Sequence, residues 1–163
     1  MKKNKILAVL ISSVLLLSAC SPPSESLSKN YFPENAIENV PERISPSQYD
    51  VIITEQVTDI TASVNTLLIS YRNGNQDIYL KDLEALDGIV MNAIQKLAGM
   101  VPPENRAEKN EEMLEALREL STKITEVQFS FEEITEESDI KSLMQNGVDT
   151  ISTYASYVYQ AKA

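Results

Sequence analysis

From Tyr49 onward the large apolar and aromatic residues fall at Ile53, Val57, Ile60, Val64, Leu67 and Tyr71, alternately four and three apart. That spacing marks one face of an α-helix. Its start is signposted by Ser45-Pro46-Ser47-Gln48, with a serine cap, a proline at the first helical position and a glutamine three residues after the cap. Asn73-Gly74 marks its end. Between Ser47 and Arg72 the helix would be about 39 Å long at 1.5 Å per residue.

Three further stripes follow. One begins near Asp77, whose carboxylate suits a helix N-terminus, and runs through Tyr79, Leu83, Leu86, Val90, Ile94, Leu97 and Val101. Gly88 inside it points to a close helix contact, and Pro102-Pro103 is expected to close this helix and open the next. The third stripe is Met113, Leu117, Leu120, Ile124, Val127, Phe131 and Ile134, with acidic residues on the other faces. Glu136-Glu137-Ser138-Asp139 reads as a turn with Ser138 as the next cap. The fourth stripe is Ile140, Met144, Gly147 or Val148, Ile151, Tyr154 or Ala155, and Val158.

Short connections make consecutive helices antiparallel neighbours, so the pattern predicts an all-α domain over 45–163, an antiparallel up-down four-helix bundle. A three-helix antiparallel coiled coil plus a C-terminal helix that packs separately or dimerises fits the same stripes. Residues 20–44 lack any such stripe. Ser, Asn and Glu with Pro22, Pro23, Pro33 and Pro41 predict a disordered, flexible tether of about 27 Å root-mean-square span. Tyr31, Phe32, Ile37 and Val40 interrupt its polarity and leave open whether residues 31–40 dock on the bundle.

The N-terminus carries another pattern: Lys2, Lys3 and Lys5, then the apolar stretch Ile6–Leu17, then small residues. This is the order of an export signal, and the stretch is shorter than the roughly 20 residues of a membrane-spanning helix. The residues Leu17-Ser18-Ala19-Cys20 resemble the lipobox of bacterial lipoproteins at all four positions. The resemblance covers this end of the chain alone. It implies that residues 1–19 are a lipoprotein signal peptide removed by signal peptidase II, with Leu17, Ser18 and Ala19 as its recognition residues. It implies also that Cys20 receives a diacylglycerol on sulfur, leaving acylation of its amino group open. Two or three acyl chains, at about 0.8 kcal/mol per buried CH₂, make a stable anchor. The layout is similar to that of small lipoproteins of Gram-positive bacteria, while Ser21 after the lipid cysteine is compatible with outer-membrane sorting in a Gram-negative one.

Charge sharpens the picture. Removing residues 1–19 takes three of the 14 basic residues and none of the 24 acidic ones, so the mature chain carries a formal −13. That argues against nucleic acid and against lying flat on anionic lipid, both of which attract Lys and Arg patches. The bilayer is then engaged through the acyl chains on Cys20, with an envelope protein as the expected second partner. The chain has no His, no Trp and a single Cys, which removes zinc sites built on Cys or His and most nucleophile–base pairs. Neither a cofactor nor a metal is expected.

Three groups remain as candidate sites. Glu108, Glu111, Glu112, Glu115 and Glu119 gather on the early turns of the third helix, a surface for hard cations or cationic partners, or a solvated acidic face. Glu132, Glu133, Glu136, Glu137 and Asp139 cluster near the third turn without the pattern of an EF-hand loop. Tyr154, Tyr157 and Tyr159 crowd the last helix, and Tyr157 and Tyr159 fall off the stripe as a possible interaction surface. Ferritin-like diiron chemistry needs histidines that are absent. The reading that results is an exported, lipid-anchored envelope protein whose bundle binds a partner without catalysis. Cation or small-ligand binding, and more remotely a carboxylate-dependent hydrolase, are the alternatives.

Overall fold

The computed structural model describes residues 42–132 and 139–162. The expected signal peptide, Cys20, most of the expected tether and residues 133–138, with the expected cap Ser138, lie outside the described residues.

Helix α1 spans Pro46–Arg72 and begins as its capping residues dictate. The Gln48 amide donates to the Ser45 hydroxyl at 3.3 Å, and the Ser45 amide donates to the Gln48 side-chain oxygen at 2.9 Å. At the other end Asn73 donates to the Ile69 carbonyl and Gly74 to that of Tyr71, with Gly74 at φ 66°, a conformation glycine adopts without strain.

Helix α2, Gln76–Ala98, starts earlier than Asp77 because Asn75 is the cap, its side-chain oxygen accepting from Ile78 N at 3.1 Å. Asp77 instead sits in the first turn, where its charge complements the helix dipole. The helix also ends earlier than the expected Pro102-Pro103. Gly99 caps it, donating to the Gln95 carbonyl at 3.0 Å. Val101 is therefore not helical. Its carbonyl accepts from Ile44 N at 3.2 Å, and Arg43 forms an isolated parallel bridge with it. Ile44, expected as the last tether residue, is half-buried on the core, and Arg43 pairs with Glu104 at 2.9 Å. A 3₁₀ turn, Glu104–Arg106, leads into α3, Ala107–Glu132; α4 is Ile140–Lys162.

Each helix packs on the two that flank it in a ring, α1 on α2 and α4, α3 on α2 and α4, so the last helix closes the bundle and the three-helix alternative is overturned. The antiparallel course shows in its cross-links. Lys96 near the end of α2 reaches Glu55 near the start of α1 at 3.5 Å, while Tyr71 at the end of α1 donates to Gln145 in the second turn of α4.

The core follows the stripes: Tyr49, Ile53, Val57, Ile60 and Leu67 from α1, and Met144, Val148, Ile151 and Val158 from α4 are buried. In α2 Ala93 is fully buried at the point where the stripe pointed to Ile94, which lies on the flank. Tyr79, Leu83, Leu86, Val90, Ala93 and Leu97 keep strict four-three spacing, which bundle geometry holds even where the residue on the line is small. The close contact expected of Gly88 lies elsewhere. A side chain at Gly88 would meet open space, whereas a Cβ at Gly147 would run into the Tyr79 hydroxyl and come within 2.8 Å of Val127 Cγ1. Through that contact α2 meets α4 across the diagonal.

Candidate functional site

The expected tyrosine surface is divided. Tyr157 and Tyr159 are two residues apart, about 200° of rotation on a helix, and therefore occupy opposite flanks of α4. Tyr157 packs edge-on against Tyr154, ring centroids 5.4 Å apart, on the α3 side. There Lys123 Nζ lies 5.5 Å from the Tyr154 ring and donates to Glu126 at 2.8 Å, and that hydrogen bond raises the lysine's pKa. Tyr159 faces α1 and lines a shallow groove of about 280 Å³ with Thr61, Val64, Ser152, Ala155 and Ser156. Tyr159 is 63% exposed.

The carboxylates of α3 form a row. Glu108, Glu111, Glu112, Glu115 and Glu119 are all exposed, and Glu111, Glu115 and Glu119 border a depression that also contains Arg118. The row thus holds a cation of its own. Among the described residues no three His, Cys, Asp or Glu side chains gather as they would around a metal ion. Of the cluster near the third turn, Glu132 ends α3 and Asp139 immediately precedes α4, both exposed; Glu133, Glu136 and Glu137 are outside the described residues. The lipobox residues Leu17, Ser18, Ala19 and Cys20 are likewise outside them.

Several polar groups, most of them off the stripes, tie helices together. The buried Ser70 hydroxyl donates to the Asp82 carboxylate, joining α1 to α2. Tyr71 donates to Gln145, whose amide in turn donates to Asp149 at 2.9 Å. Arg106 Nε lies 3.3 Å from Asp50 beside Tyr49, whose pKa is raised by burial against the opposing pull of that arginine. Asn110 Oδ1 and the Tyr79 hydroxyl are buried with no hydrogen-bond partner. Burial raises the Tyr79 pKa strongly. The signal for these residues was weak, because a polar residue on a stripe's edge reads the same whether it faces water or a neighbouring helix.

Chemically, the acidic row sits on one helix, so its carboxylates cannot face each other across a substrate as a glycosidase pair must. No described helix is long and apolar enough to cross a membrane. Comparison with protein-family models, with curated proteins and with solved structures finds no match for this chain.

Proposed function

We propose that this chain is a lipoprotein of the bacterial cell envelope, anchored on the extracytoplasmic side of a membrane by acyl chains on Cys20, and that its bundle is a non-catalytic protein-interaction module. The observation that carries the reading is Leu17-Ser18-Ala19-Cys20 placed directly after a basic start and a short apolar stretch, with Cys20 the sole cysteine in the chain. The cysteine thiolate is the side chain there able to take a lipid. Support for the second half comes from the helical faces, which offer shallow grooves and exposed Tyr157, Tyr159 and Phe129. Aromatic residues at the surface favour protein contacts. Cation binding by the acidic row is the weaker reading, because Arg118 stands within it.

The test is Cys20→Ala in an expressing bacterium. The wild-type chain is expected in the membrane fraction with a labelled fatty acid attached, and the variant is expected to lose both the label and membrane retention. Unchanged membrane accumulation of the variant would sink the lipoprotein reading.

A further inference from the structure

The end of the bundle at which α1 and α3 begin and α4 ends departs from the acidic pattern. There a cavity of about 230 Å³ is bordered by Arg106, Lys109 and Lys162, with Asp50 as the one carboxylate among the described residues that line it. The chain as a whole carries 24 acidic against 14 basic side chains, so the balance of charge is locally reversed. Neighbouring acids are directed elsewhere: Glu104 pairs with Arg43, and neither it nor Glu108 borders the cavity.

Separate elements supply the cations. Arg106 ends the 3₁₀ turn, Lys109 lies at the start of α3, and Lys162 is the last residue of α4. Because α4 packs on both α1 and α3, its last turn meets the starts of the two at this cavity. Asp50 accepts from Arg106 Nη2 at 3.4 Å and lies 3.3 Å from Nε, which holds the guanidinium at the wall and leaves it further N–H groups to donate. The buried Tyr49 and Ile53 form the apolar part of the lining, and the Tyr49 hydroxyl is near enough to Arg106 to feel its charge. Arg106 and Lys109 are half-buried. Gathering cations where water is restricted is unfavourable, and a bound anion offsets it.

We propose that this cavity binds a phosphate group carried on a small organic moiety, with Arg106 and Lys162 gripping the phosphate from two elements. A phosphate dianion suits a wall bearing several cations, and an arginine fork matches its oxygens. The N-terminal end of α3 adds partial positive charge, and the apolar part of the lining accommodates a short carbon skeleton. Elsewhere the surplus carboxylates repel such a ligand. A free phosphate monoester and the glycerophosphate headgroup of an anionic lipid share this chemistry. The inference concerns the folded bundle and does not depend on lipidation.

The test is calorimetric titration of the full chain in neutral detergent at fixed ionic strength, with glycerol phosphate in one arm and phosphatidylglycerol added to the micelles in the other. Saturable binding is expected in at least one arm; glycerol phosphate alone would mark a soluble ester as the ligand, and phosphatidylglycerol alone a headgroup. Glycerol is expected to give no saturable heat. Lys162→Gln and Arg106→Gln should each weaken binding by about tenfold, whereas Lys81→Gln, which removes the same charge from α2 away from the cavity, should leave it unchanged. Lys162 is exposed, so its variant is expected to keep the helical circular dichroism and decides the matter if Arg106→Gln does not fold. No saturable binding in either arm, binding that Lys162→Gln leaves intact, or an equal loss from Lys81→Gln would each overturn the proposal.

Discussion

Tyr79 is fully buried, lies 5.6 Å from the Phe131 ring centroid to centroid, and ends in a hydroxyl with no partner. A buried unsatisfied hydroxyl costs stability that a matching apolar surface would not. Tyr79→Phe is therefore expected to leave the bundle as stable or up to about 1 kcal/mol more stable in urea denaturation at neutral pH. A loss of stability would show that the hydroxyl is bonded. The same residue sets an alkaline limit. The unfolded chain ionises Tyr79 near its ordinary value of 10.0, whereas burial keeps the folded chain protonated well above it. Between the two values the native state binds the extra proton, so stability is whole below pH 10 and falls as pH rises past it. Tyr79→Phe should flatten that fall in part, the residue of the slope belonging to Tyr49, whose pKa is raised in the same direction. Equal slopes for the two proteins would contradict the assignment. The aromatic character of Tyr79 placed it on a stripe, but nothing local says that its hydroxyl meets a glycine of another helix.

Helix boundaries and helix contacts follow from local chemistry to different degrees. The start of α1 was legible because Ser45, Pro46 and Gln48 satisfy its first amides among themselves. Helix α2 begins one residue before Asp77 and ends three residues short of Val101. Asn75 and Asp77 are both competent caps, and Gly99 competes with Pro102 as a stop, so the choice depends on where the neighbouring turn and the Ile44–Val101 hydrogen bond hold the backbone. The close contact expected at Gly88 is found at Gly147 instead, and this can be measured. Gly88→Ala should stabilise by roughly 0.5–1 kcal/mol, since alanine restricts the chain and meets nothing. Gly147→Ala should destabilise by about 1–2 kcal/mol, the overpacking against Val127 and Tyr79 exceeding the gain in helix propensity. Thermal or urea melts of the two variants check the pair; shifts of the same sign would refute the packing described here.

At the scale of the molecule, acidic charge works against compactness. The described ion pairs are few and largely exposed, Arg43–Glu104, Lys96–Glu55, Arg106–Asp50 and Lys123–Glu126, and such pairs contribute little. Repulsion among the surplus carboxylates, including Glu111, Glu115 and Glu119 one turn apart, is the larger effect. The melting temperature should accordingly rise with sodium chloride as the Debye length shrinks from about 30 Å at 0.01 M to about 3 Å at 1 M. A fall would mean that the exposed pairs outweigh the repulsion. The tyrosines belong to this scale as well. On one helix they looked like a single crowded patch, and only the placement of α1 and α3 on either side of α4 separated Tyr159 from Tyr157.

Periodicity and caps are local properties, written at intervals of three and four residues. Four helices, their order and nearly all of their buried faces could therefore be read from the sequence, together with the N-terminal lipobox pattern and the net acidity. Tertiary structure alone decided that α4 closes the ring, that Ala93 rather than Ile94 faces the centre, and that Gly147 rather than Gly88 abuts a neighbouring helix. It also brought Thr61 and Val64 of α1 and Ala155 and Tyr159 of α4, some ninety residues apart in sequence, onto one groove. A stripe specifies which side of a helix avoids water, whereas the identity of the opposing surface is set by how all four helices fill a common interior.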